Sequence, residues 1–497
     1  MDHSLVPKLP ITEAFEADYL EYNRILPLEV TGDRLRVAVA GETAPEVLED
    51  LEMSFGVSVD LVPVSQEELL DAIRRTFAAA ESVVELVKDL DAELPVAGDA
   101  DNDGLADVRD LANQPPVVRY VNLLIKEAHD ARASDIHLES TRDGLHARFR
   151  IDGVLTDVPS PPKGVQAAVV SRVKLLAELD IAERRAPQDG RIRVRLEERE
   201  LDLRVSTVPT LYGESVVLRL LDRGGRPVAL DELGMAPETL DAFRRLAEKP
   251  HGILLATGPT GSGKTTTLYA ALGLRRRSAE KIITVEDPVE YHLEGVTQVP
   301  VNAKAGMTFA GALRSILRQD PDVLMVGEMR DGETAAIAVQ AALTGHLVFS
   351  TLHTNDAASA ITRLVDLKVE PYLIAATVEA VLAQRLVRRV CAECRERYKA
   401  DPSSVALLAH QPVKQMVLER GRGCTACRGA GYRGRTGIFE LLVVTEEIKQ
   451  AFLRTPDAAG LRDIAATQGM RTLRQDGWAK VQAGITTVEE VLRVTDR

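Results

Sequence analysis

The sequence predicts an α/β protein whose largest domain is built on a parallel sheet. Two short, continuous apolar runs, Ile253–Ala256 and Val323–Val326, are separated by helical segments, which is typical of parallel strands buried on both faces. Upstream, apolar and polar residues alternate over 145–151 and 201–205, which is typical of strands with one buried face. The 497 residues are too many for one core, and about 150 residues per domain predicts several domains.

The composition is that of a folded chain with an acidic balance of charge. Hydrophobic residues make up 45% and charged residues 27%, and the formal net charge is −14. This charge opposes nucleic acid as the main partner, because phosphate backbones are bound through clustered Lys and Arg. The segment Met1–Pro10 lacks a signal-peptide pattern, and no apolar run is long enough to cross a bilayer. We therefore expect a cytosolic protein that reaches a membrane only through partners.

Residues 1–90 are expected to form a small α/β domain. Strand patterns occupy 35–39 and 57–62, with a helical stretch between them. Ser65 and Glu68 have the spacing of a capping box, in which each side chain accepts a hydrogen bond from the backbone of the other residue. A further helix is therefore predicted to begin at Ser65.

An acidic linker is expected over 91–115, because its Asp-, Gly-, Ala- and Pro-rich composition buries too little apolar surface to offset the entropy of ordering. The linker contains an approximate calcium-binding loop, formed by Asp99, Asp101, Asp103, Gly104 and Asp110. Asp110 stands where such loops have a bidentate Glu, and Pro95 and Gly98 interrupt the helix that should precede the loop. These departures favour a plain linker, and calcium binding stays open as the alternative.

Residues 116–226 are predicted to form an α+β domain, with helices over 117–131 and 165–179 beside the alternating strands. The core-facing positions of the first helix are Val121, Leu124, Ile125 and Ala128. The remaining domains are expected over 230–388 for the parallel-sheet core, 389–437 for a cysteine-containing module and 438–497 for a helical C-terminal domain. Trp478 is the expected packing residue of that last domain.

A phosphate-binding loop follows the first strand of the core domain. It fits the pattern G-x-x-x-x-G-K-[ST] between a strand at 252–257 and a helix at 266–272, which is the context that the pattern requires. Glycines allow backbone N–H groups to converge on phosphate oxygens, the lysine neutralises phosphate charge, and the threonine hydroxyl binds Mg²⁺. The expected nucleotide-binding residues are Gly258, Pro259, Thr260, Gly261, Ser262, Gly263, Lys264, Thr265 and Thr266, with Thr265 as the magnesium ligand.

Two glutamates follow neighbouring predicted strands at their carboxyl ends, where open α/β sheets bind ligands. Glu328 follows Val323–Val326 and is the candidate for orienting or deprotonating an attacking water. Glu286 follows Ile282–Val285 and is the candidate for holding the metal through water. Asp287 precedes a proline and is better explained as a turn residue.

Two histidines, His346 and His353, flank a third apolar run, Leu347–Ser350. They are candidates for reporting the γ-phosphate to a neighbouring subunit or for positioning Glu328. Single histidines are usually structural, and the spacing alone leaves that alternative open.

Four cysteines form two close pairs, Cys391 with Cys394 and Cys424 with Cys427. In a reducing compartment such pairs predict metal binding rather than disulfides. Four thiolates complete the tetrahedral shell of one Zn²⁺ and leave no open position, so a structural zinc site is expected. Free buried cysteines are the alternative.

Taken together, these motifs resemble the secretion and pilus ATPases of bacteria. The matching segments are Gly258–Tyr269 as the Walker A motif, Ile283–Glu290 as the Asp box, Leu317–Asp331 as the Walker B motif and Thr344–Asp356 as the His box, together with Ser134–His137 and Arg148–Gly153. The resemblance covers residues from about 115 to 440, and Met329 departs from the usual Ile of the family. Within the superfamily the chain is similar to the type II secretion assembly ATPase, and the type IV pilus assembly ATPase is the alternative.

The resemblance implies a RecA-like P-loop ATPase core, preceded by a PAS-like α+β domain and interrupted by a zinc clasp. It implies ATP, Mg²⁺ and Zn²⁺ as cofactors, with Lys264 and Thr265 on the nucleotide. Glu328 would activate water, Glu286 would support the metal, and His346 with His353 would couple the nucleotide to motion. It also assigns Arg204 and Arg219 of the second domain to the phosphates, although exposed strand arginines would look the same in sequence.

By the same resemblance we expect a homo-hexamer in the cytoplasm, held at the inner membrane by partners. The implied partners are the cytoplasmic domain of an inner-membrane type II secretion protein (L-type), onto which the N-terminal domain docks, and the inner-membrane platform protein (F-type). Two alternatives come from other classes, a scaffold that binds ATP without hydrolysing it and a nucleic-acid translocase. Glu328 argues against the first and the acidic net charge against the second.

Overall fold

The computed structural model describes residues 15, 17–31, 34–41, 43–70, 72–73, 110–196, 199–222, 228–275, 279–409 and 416–495. The chain divides into two compact units, Met1–Arg193 with Leu203–Leu220, and Val194–Asp202 with Leu221–Arg497. Residues 99–109, which hold most of the calcium-loop pattern, lie outside the described residues.

The N-terminal part of the first unit is a three-stranded sheet flanked by helices. Its elements are α1 (Ala17–Asn23), β1 (Ile25–Thr31), β2 (Arg34–Val39), α2 (Pro45–Phe55) and β3 (Ser58–Pro63). Strand β2 lies in the centre, antiparallel to β1 and parallel to β3. The predicted strands are confirmed. The capping box is also confirmed, since Ser65 Oγ accepts the Glu68 N–H at 3.2 Å and Glu68 Oε2 accepts the Ser65 N–H at 3.1 Å.

A six-stranded sheet with two helices follows in the chain. Its elements are α3 (Pro115–Asp130), β4 (Ala133–Thr141), β5 (Gly144–Ile151), β6 (Val154–Asp157), α4 (Gln166–Leu176), β7 (Gln188–Leu196), β8 (Arg199–Thr210) and β9 (Gly213–Asp222). The strand order is β6-β5-β4-β9-β8-β7. The four predicted core positions of the first helix are all buried, because they share one face of α3. The α+β prediction for this region is confirmed.

The second unit is organised around a seven-stranded sheet. Its strands are β10 (Gly252–Thr257), β11 (Ile282–Glu286), β12 (Thr297–Pro300), β13 (Val323–Val326), β14 (Leu347–Leu352), β15 (Val378–Val390) and β18 (Tyr432–Val443). The order is β12-β11-β13-β14-β10-β15-β18, with every pair parallel except β15 and β18. Every residue of β10, β11, β13 and β14 is buried, which confirms the predicted parallel sheet and explains the unbroken apolar runs.

Helices cover both faces of this sheet and continue into the C-terminal region. They are α5 (Pro237–Ala247), α6 (Lys264–Arg275), α7 (Phe309–Ile316), α8 (Gly332–Leu343), α9 (Ala357–Asp366), α10 (Pro371–Thr377), α12 (Glu446–Arg454), α13 (Ala458–Thr467), α14 (Leu473–Gln482) and α15 (Val488–Thr495). Side-chain caps satisfy backbone N–H groups at several starts, as at Asp331 before α8 and Asp356 before α9. Trp478 is half-buried against the main core, as predicted.

Between β15 and β18 the chain leaves the sheet and forms a small module. It contains β16 (Arg395–Lys399), α11 (Pro402–Ala409) and β17 (Val417–Gly421), with β16 and β17 antiparallel. The domain boundaries expected at 388 and 438 fall inside β15 and β18, because both strands extend from the sheet into the module. No helix among the described residues is both long and apolar enough to span a membrane.

Candidate nucleotide site and cysteine cluster

The phosphate-binding loop forms the turn between β10 and α6, and its backbone packs directly on β15. Gly258 has a φ of +150° and Gly263 a φ of +89°, conformations that disfavour other residues. A Cβ atom at Gly258 would lie 2.5 Å from the Gln384 carbonyl oxygen, and one at Gly263 would lie 2.7 Å from Gln384 Nε2. Both glycines are therefore required by backbone conformation and by the close approach of the loop to β15.

Lys264 is buried within the loop, and in the part of the chain that the structure describes its ammonium donates to two carbonyl oxygens of that loop. Its Nζ donates to Gly258 O at 2.8 Å and to Pro259 O at 3.0 Å. Burial lowers the pKa of Lys264, the Glu328 carboxylate opposes this shift and Arg385 adds to it, and the resulting pKa is about 8. A bound phosphate would place a negative charge beside this buried ammonium.

Two further features fit a nucleotide with magnesium. Ser262 is 3% exposed, and its Oγ has no hydrogen-bond partner among the described residues. A buried hydroxyl without a partner is costly, and a phosphate oxygen would satisfy it. Thr265 and Thr266 stand in the first turn of α6, where the helix N-terminus favours an anion and the Thr265 hydroxyl can bind its metal.

Glu328 lies just beyond β13, at the carboxyl edge of the sheet, between the side chains of Arg330 and His353. Arg330 Nη2 is 2.6 Å from Glu328 Oε1, and His353 Nε2 is 3.4 Å from Glu328 Oε2. The Glu328 carboxylate raises the pKa of Arg330. The side chain of Glu328 is 13% exposed, so a small molecule can reach it. These contacts orient a charged carboxylate at the edge where the phosphate-binding loop also lies.

Glu286, the last residue of β11, lies in a buried hydrogen-bond network. It is 2% exposed. Its Oε1 accepts from Thr284 Oγ1 at 2.6 Å and Gln298 Nε2 at 3.1 Å, and its Oε2 accepts from the Tyr269 hydroxyl. Burial raises the pKa of Tyr269, and the bond to Glu286 raises it further. Both carboxylate oxygens are therefore engaged, and the metal-supporting role of Glu286 stays a prediction.

The structure separates the two predicted histidines. His353 follows β14 at the carboxyl edge and contacts Glu328, whereas His346 precedes β14. Seven residue steps at about 3.3 Å each place the two histidines roughly 23 Å apart. His346 Nδ1 lies 2.9 Å from Ala341 O and 3.2 Å from Thr344 Oγ1. Of the two histidines, His353 is the one that contacts Glu328. The roles of both histidines in coupling the nucleotide to motion stay predictions.

The two predicted arginines belong to the six-stranded sheet. Arg219 on β9 lies opposite Asp135 on β4, and its Nε is 2.8 Å from Asp135 Oδ1. The Arg219 side chain is nevertheless 57% exposed. Arg204 is half-buried on β8. Their assignment to the phosphates stays a prediction.

Sequence reasoning missed two polar residues beside the loop, Gln384 and Arg385 on β15. Both are buried, although the strand otherwise places mainly apolar side chains in the core. A Gln-Arg pair inside a long apolar strand is the sequence signal that could have identified them. Arg330 was missed for the opposite reason, because an exposed arginine after a strand carries no pattern.

The four cysteines converge on one point. Their sulfur atoms all lie within 4.8 Å of one another. The measured separations are 3.9 Å for Cys391–Cys424, 3.8 Å for Cys394–Cys427 and 3.7 Å for Cys424–Cys427. A tetrahedral site with Zn–S bonds of about 2.3 Å has S–S edges of about 3.8 Å, so this geometry fits zinc.

The backbone around the cluster also favours the thiolate of Cys427. The N–H groups of Cys424 and Gly431 each donate to Cys427 Sγ at 3.2 Å. Burial raises the pKa of Cys427, but these bonds outweigh burial and bring it to about 7. A Cβ atom at Gly421 would lie 1.9 Å from Gly431 O, so the two strands that leave the cluster can approach only through glycine.

Comparison with known proteins agrees with this geometry. Residues 110–493 match the family described as type II/IV secretion system protein, and residues 2–83 match the MshEN domain. The chain is 47% identical over 492 residues to the type II secretion system protein E of Xanthomonas campestris pv. campestris, covering 98% of this chain and 86% of that protein. It is 50% identical over 390 residues to the type II secretion system ATPase E of Vibrio cholerae serotype O1, covering 78% and 77%.

A solved structure is similar as well. The pilus retraction motor PilT with bound ADP matches with a TM-score of 0.53 and 27% identity, over 75% of this chain and 96% of that one. The predicted resemblance and the ATPase core are confirmed by these matches. The chain therefore belongs to the type II/IV secretion system protein family, as one of the ATPases of type II secretion.

Proposed function

We propose that the chain is a cytoplasmic homo-hexameric motor whose ATP hydrolysis drives pseudopilus assembly and protein export by a type II secretion system. The observation that carries the proposal is Glu328, held between Arg330 and His353 at the carboxyl edge of the sheet. A scaffold that only binds nucleotide has no need of an oriented carboxylate at this edge. The assignment to the type II secretion pathway rests on the names of the relatives.

The loop residues would bind the triphosphate. Backbone N–H groups of residues 258–263 and of the first turn of α6 would point at phosphate oxygens. Lys264 would exchange its bonds to Gly258 and Pro259 carbonyl oxygens for bonds to phosphate, and Ser262 Oγ would gain the partner it lacks. Thr265 would hold Mg²⁺, which when bound neutralises the charge on the phosphates during transfer.

Glu328 would accept a hydrogen bond from the attacking water and aim its oxygen at the terminal phosphate. Arg330 and His353 keep the carboxylate in one orientation, so less reorganisation is needed when the water arrives. Glu286 would support the magnesium through water. This requires at least one of its present donors, Tyr269, Thr284 or Gln298, to give way.

Arg204 and Arg219 would complete the site by contacting the phosphates. Their support is the family resemblance and the exposure of Arg219. If ATP attracts these arginines, binding favours a closed arrangement of the chain and hydrolysis releases it, which converts chemistry into movement. Movement coupled between the subunits of a hexamer would then act on the secretion machinery.

The four cysteines would hold one structural Zn²⁺. Their sulfur separations match a tetrahedral shell, and four protein ligands leave no position for a substrate. Measurement of about one zinc per chain, lost in Cys424→Ser, would support this assignment. Purified protein without bound zinc would contradict it.

The N-terminal residues, which match the MshEN domain over 2–83, would dock onto the cytoplasmic domain of an L-type inner-membrane protein. The platform protein of the inner membrane (F-type) would be the second partner. These contacts would make the motor peripheral to the membrane. A chain that starts at Asp91 should hydrolyse ATP and fail to co-sediment with membranes that carry the system, and retained co-sedimentation would contradict the docking role.

The central test is nucleotide binding by Lys264→Ala. Its loss of charge and hydrogen bonds should weaken the binding of ATP by at least about a hundredfold, measured by titration with a fluorescent ATP analogue. Lys249→Ala is the matched control, because Lys249 pairs with Glu379 away from the loop. Equal affinity of Lys264→Ala and the parent would overturn the nucleotide site and the motor with it.

The type IV pilus assembly ATPase is the second candidate, since the two classes share the core motifs. Neighbouring genes distinguish them, because a secretin and pseudopilins are expected beside a secretion ATPase. A cluster of pilins without a secretion apparatus would favour pilus assembly.

A further inference from the structure

Strand β15 extends beyond its neighbour β10 and passes beneath the phosphate-binding loop. The last pair between the two strands is Thr257 with Ala383, so Gln384 and Arg385 are the first residues of β15 under the loop. Gln384 is 2% exposed and Arg385 is 8% exposed. Burial of an amide and a guanidinium is costly, which indicates that each makes specific contacts.

Gln384 connects β15 to the helix that follows the loop. Its Oε1 accepts a hydrogen bond from Thr267 Oγ1 on α6 at 2.7 Å, and both residues are buried. Its Nε2 lies 2.7 Å from the position that a Cβ atom at Gly263 would occupy. Gln384 therefore sets the distance between β15 and the first turn of α6, which carries Lys264 and Thr265.

Arg385 lies beside the start of the phosphate-binding loop and is hydrogen-bonded to a second loop, which contains Asn355. Its Nη1 donates to the Gln384 carbonyl oxygen at 3.1 Å and lies 3.0 Å from the position of a Cβ at Gly258. Its Nη2 donates to Asn355 O at 3.0 Å and to Asn355 Oδ1 at 3.3 Å. One planar guanidinium thus lies beside the phosphate-binding loop and is hydrogen-bonded to the second loop, a geometry that lysine cannot reproduce.

The loop that contains Asn355 also carries His353, whose Nε2 is 3.4 Å from Glu328 Oε2. The intervening Thr354 is fixed to the end of β10, since its Oγ1 is 2.7 Å from Thr257 Oγ1 and its N–H donates to that oxygen at 2.9 Å. Arg385, Asn355 and His353 therefore form a contiguous path from the phosphate-binding loop to Glu328.

We propose that Gln384 and Arg385 are positioning residues of the ATPase, with separable effects. Gln384, through Thr267, places the start of α6 and so determines the affinity for nucleotide. Arg385, through Asn355, holds the His353 loop against Glu328 and so determines the rate of hydrolysis. This inference rests on the nucleotide site proposed above, and neither side chain is assigned a contact with ATP.

The first experiment measures steady-state hydrolysis by Arg385→Gln, Asn355→Ala and the double variant. Each single variant should lower kcat about tenfold and change KM less than about threefold, because the loop that orients Glu328 is released. The double variant should be no slower than the slower single variant, since both changes break one path. Rates that multiply, or a change confined to KM, would overturn the role of Arg385.

The second experiment tests the Gln384–Thr267 hydrogen bond with Thr267→Val, which removes one hydroxyl with little change in side-chain volume. KM for ATP should rise about tenfold while kcat stays within about twofold, and Gln384→Ala should behave in the same way. Thr267→Ser should restore the affinity of the parent, because it returns the donor. Unchanged KM in Thr267→Val, or a loss of kcat instead, would contradict the role of Gln384.

Arg389→Gln is the control for both experiments, because Arg389 lies on the same strand and is exposed. It should leave kcat and KM unchanged. Thermal unfolding separates positioning from general damage, and Arg385→Lys provides a milder variant if Arg385→Gln does not fold. Arg385→Lys should recover only part of the lost kcat. Full recovery would contradict the role given to the planar guanidinium of Arg385. A parent protein that fails to bind ATP would instead overturn the proposed function.

Discussion

Strands β11 and β13 lie side by side and each leads into a glutamate, but the two carboxylates have different surroundings. Glu286 is buried and accepts hydrogen bonds from three uncharged donors, Tyr269, Thr284 and Gln298. Glu328 is partly exposed and is held by Arg330 and His353. Both residues stand at the carboxyl edge of the same parallel sheet.

The difference indicates which carboxylate is prepared for chemistry. Three neutral donors fix Glu286 and use most of its lone pairs, so a water or metal ligand must compete with them. Arg330 and His353 hold Glu328 in one orientation while leaving it within reach of solvent. A position at a strand end is therefore not enough to assign a catalytic role, and the donors around the carboxylate must be known.

The largest expected effect is on Glu328. Glu328→Gln should lower kcat at least about a hundredfold and leave ATP binding within about threefold of the parent, because the amide cannot act as a base. Phosphate release and nucleotide titration measure the two quantities. Glu333→Gln, at an exposed position on α8, is the control. Hydrolysis at the rate of the parent would remove Glu328 from its role and favour a scaffold.

The next effect concerns pH. The pKa of Lys264 without ligand is about 8, and bound phosphate should raise it, so binding above pH 8 requires uptake of a proton. ATP affinity should therefore be constant below pH 8 and fall by up to about tenfold per pH unit above it. Lys264→Arg should abolish this dependence, because arginine stays charged. A profile for the parent that stays flat to roughly pH 9.5 would contradict the prediction.

This profile also sharpens the comparison between the glutamates. The charges that act on Lys264 are Glu328 and Arg385. Glu328→Gln removes the charge that raises the pKa, so the onset of weaker binding should move to lower pH. Glu286→Gln should leave the onset where it is. Equal shifts in the two variants would show that the carboxylates are electrostatically equivalent.

A smaller effect on activity is expected at Glu286. Glu286→Gln places an amide N–H₂ against one of three donors, so the free energy of unfolding should fall by about 1–3 kcal/mol while kcat falls less than tenfold. Denaturant unfolding and phosphate release measure these changes. A loss of kcat as large as in Glu328→Gln, without a loss of stability, would contradict this ranking and show that Glu286 holds the metal more directly than through water.

The smallest effects distinguish the histidines. His353→Ala should lower kcat by about three- to tenfold, because Glu328 keeps Arg330 as a partner. His346→Ala should leave kcat of an isolated chain within about twofold, since it lies at the opposite edge. Equal losses of kcat in the two variants would indicate that both histidines act on hydrolysis.

Local patterns were sufficient for much of the fold. The strands β10, β11, β13 and β14 were predictable because buried parallel strands are continuous apolar runs, and the glycine-rich loop was predictable because its chemistry lies in consecutive residues. Strand β18 was not predicted as part of the core sheet. Its partner β15 lies across the cysteine module, and no local signal reports that pairing.

The sequence by itself determined the elements whose information is contiguous: the parallel strands, the phosphate-binding loop, the capping box and the paired cysteines. Only the tertiary structure decided that His353 rather than His346 contacts Glu328, that three donors surround Glu286, and that Gln384 and Arg385 lie beneath the loop. The reason is physical, because hydrogen bonds and ion pairs depend on distances between strands that the chain reaches by long connections. Periodicity specifies which face of an element is buried, but not which partner that face meets.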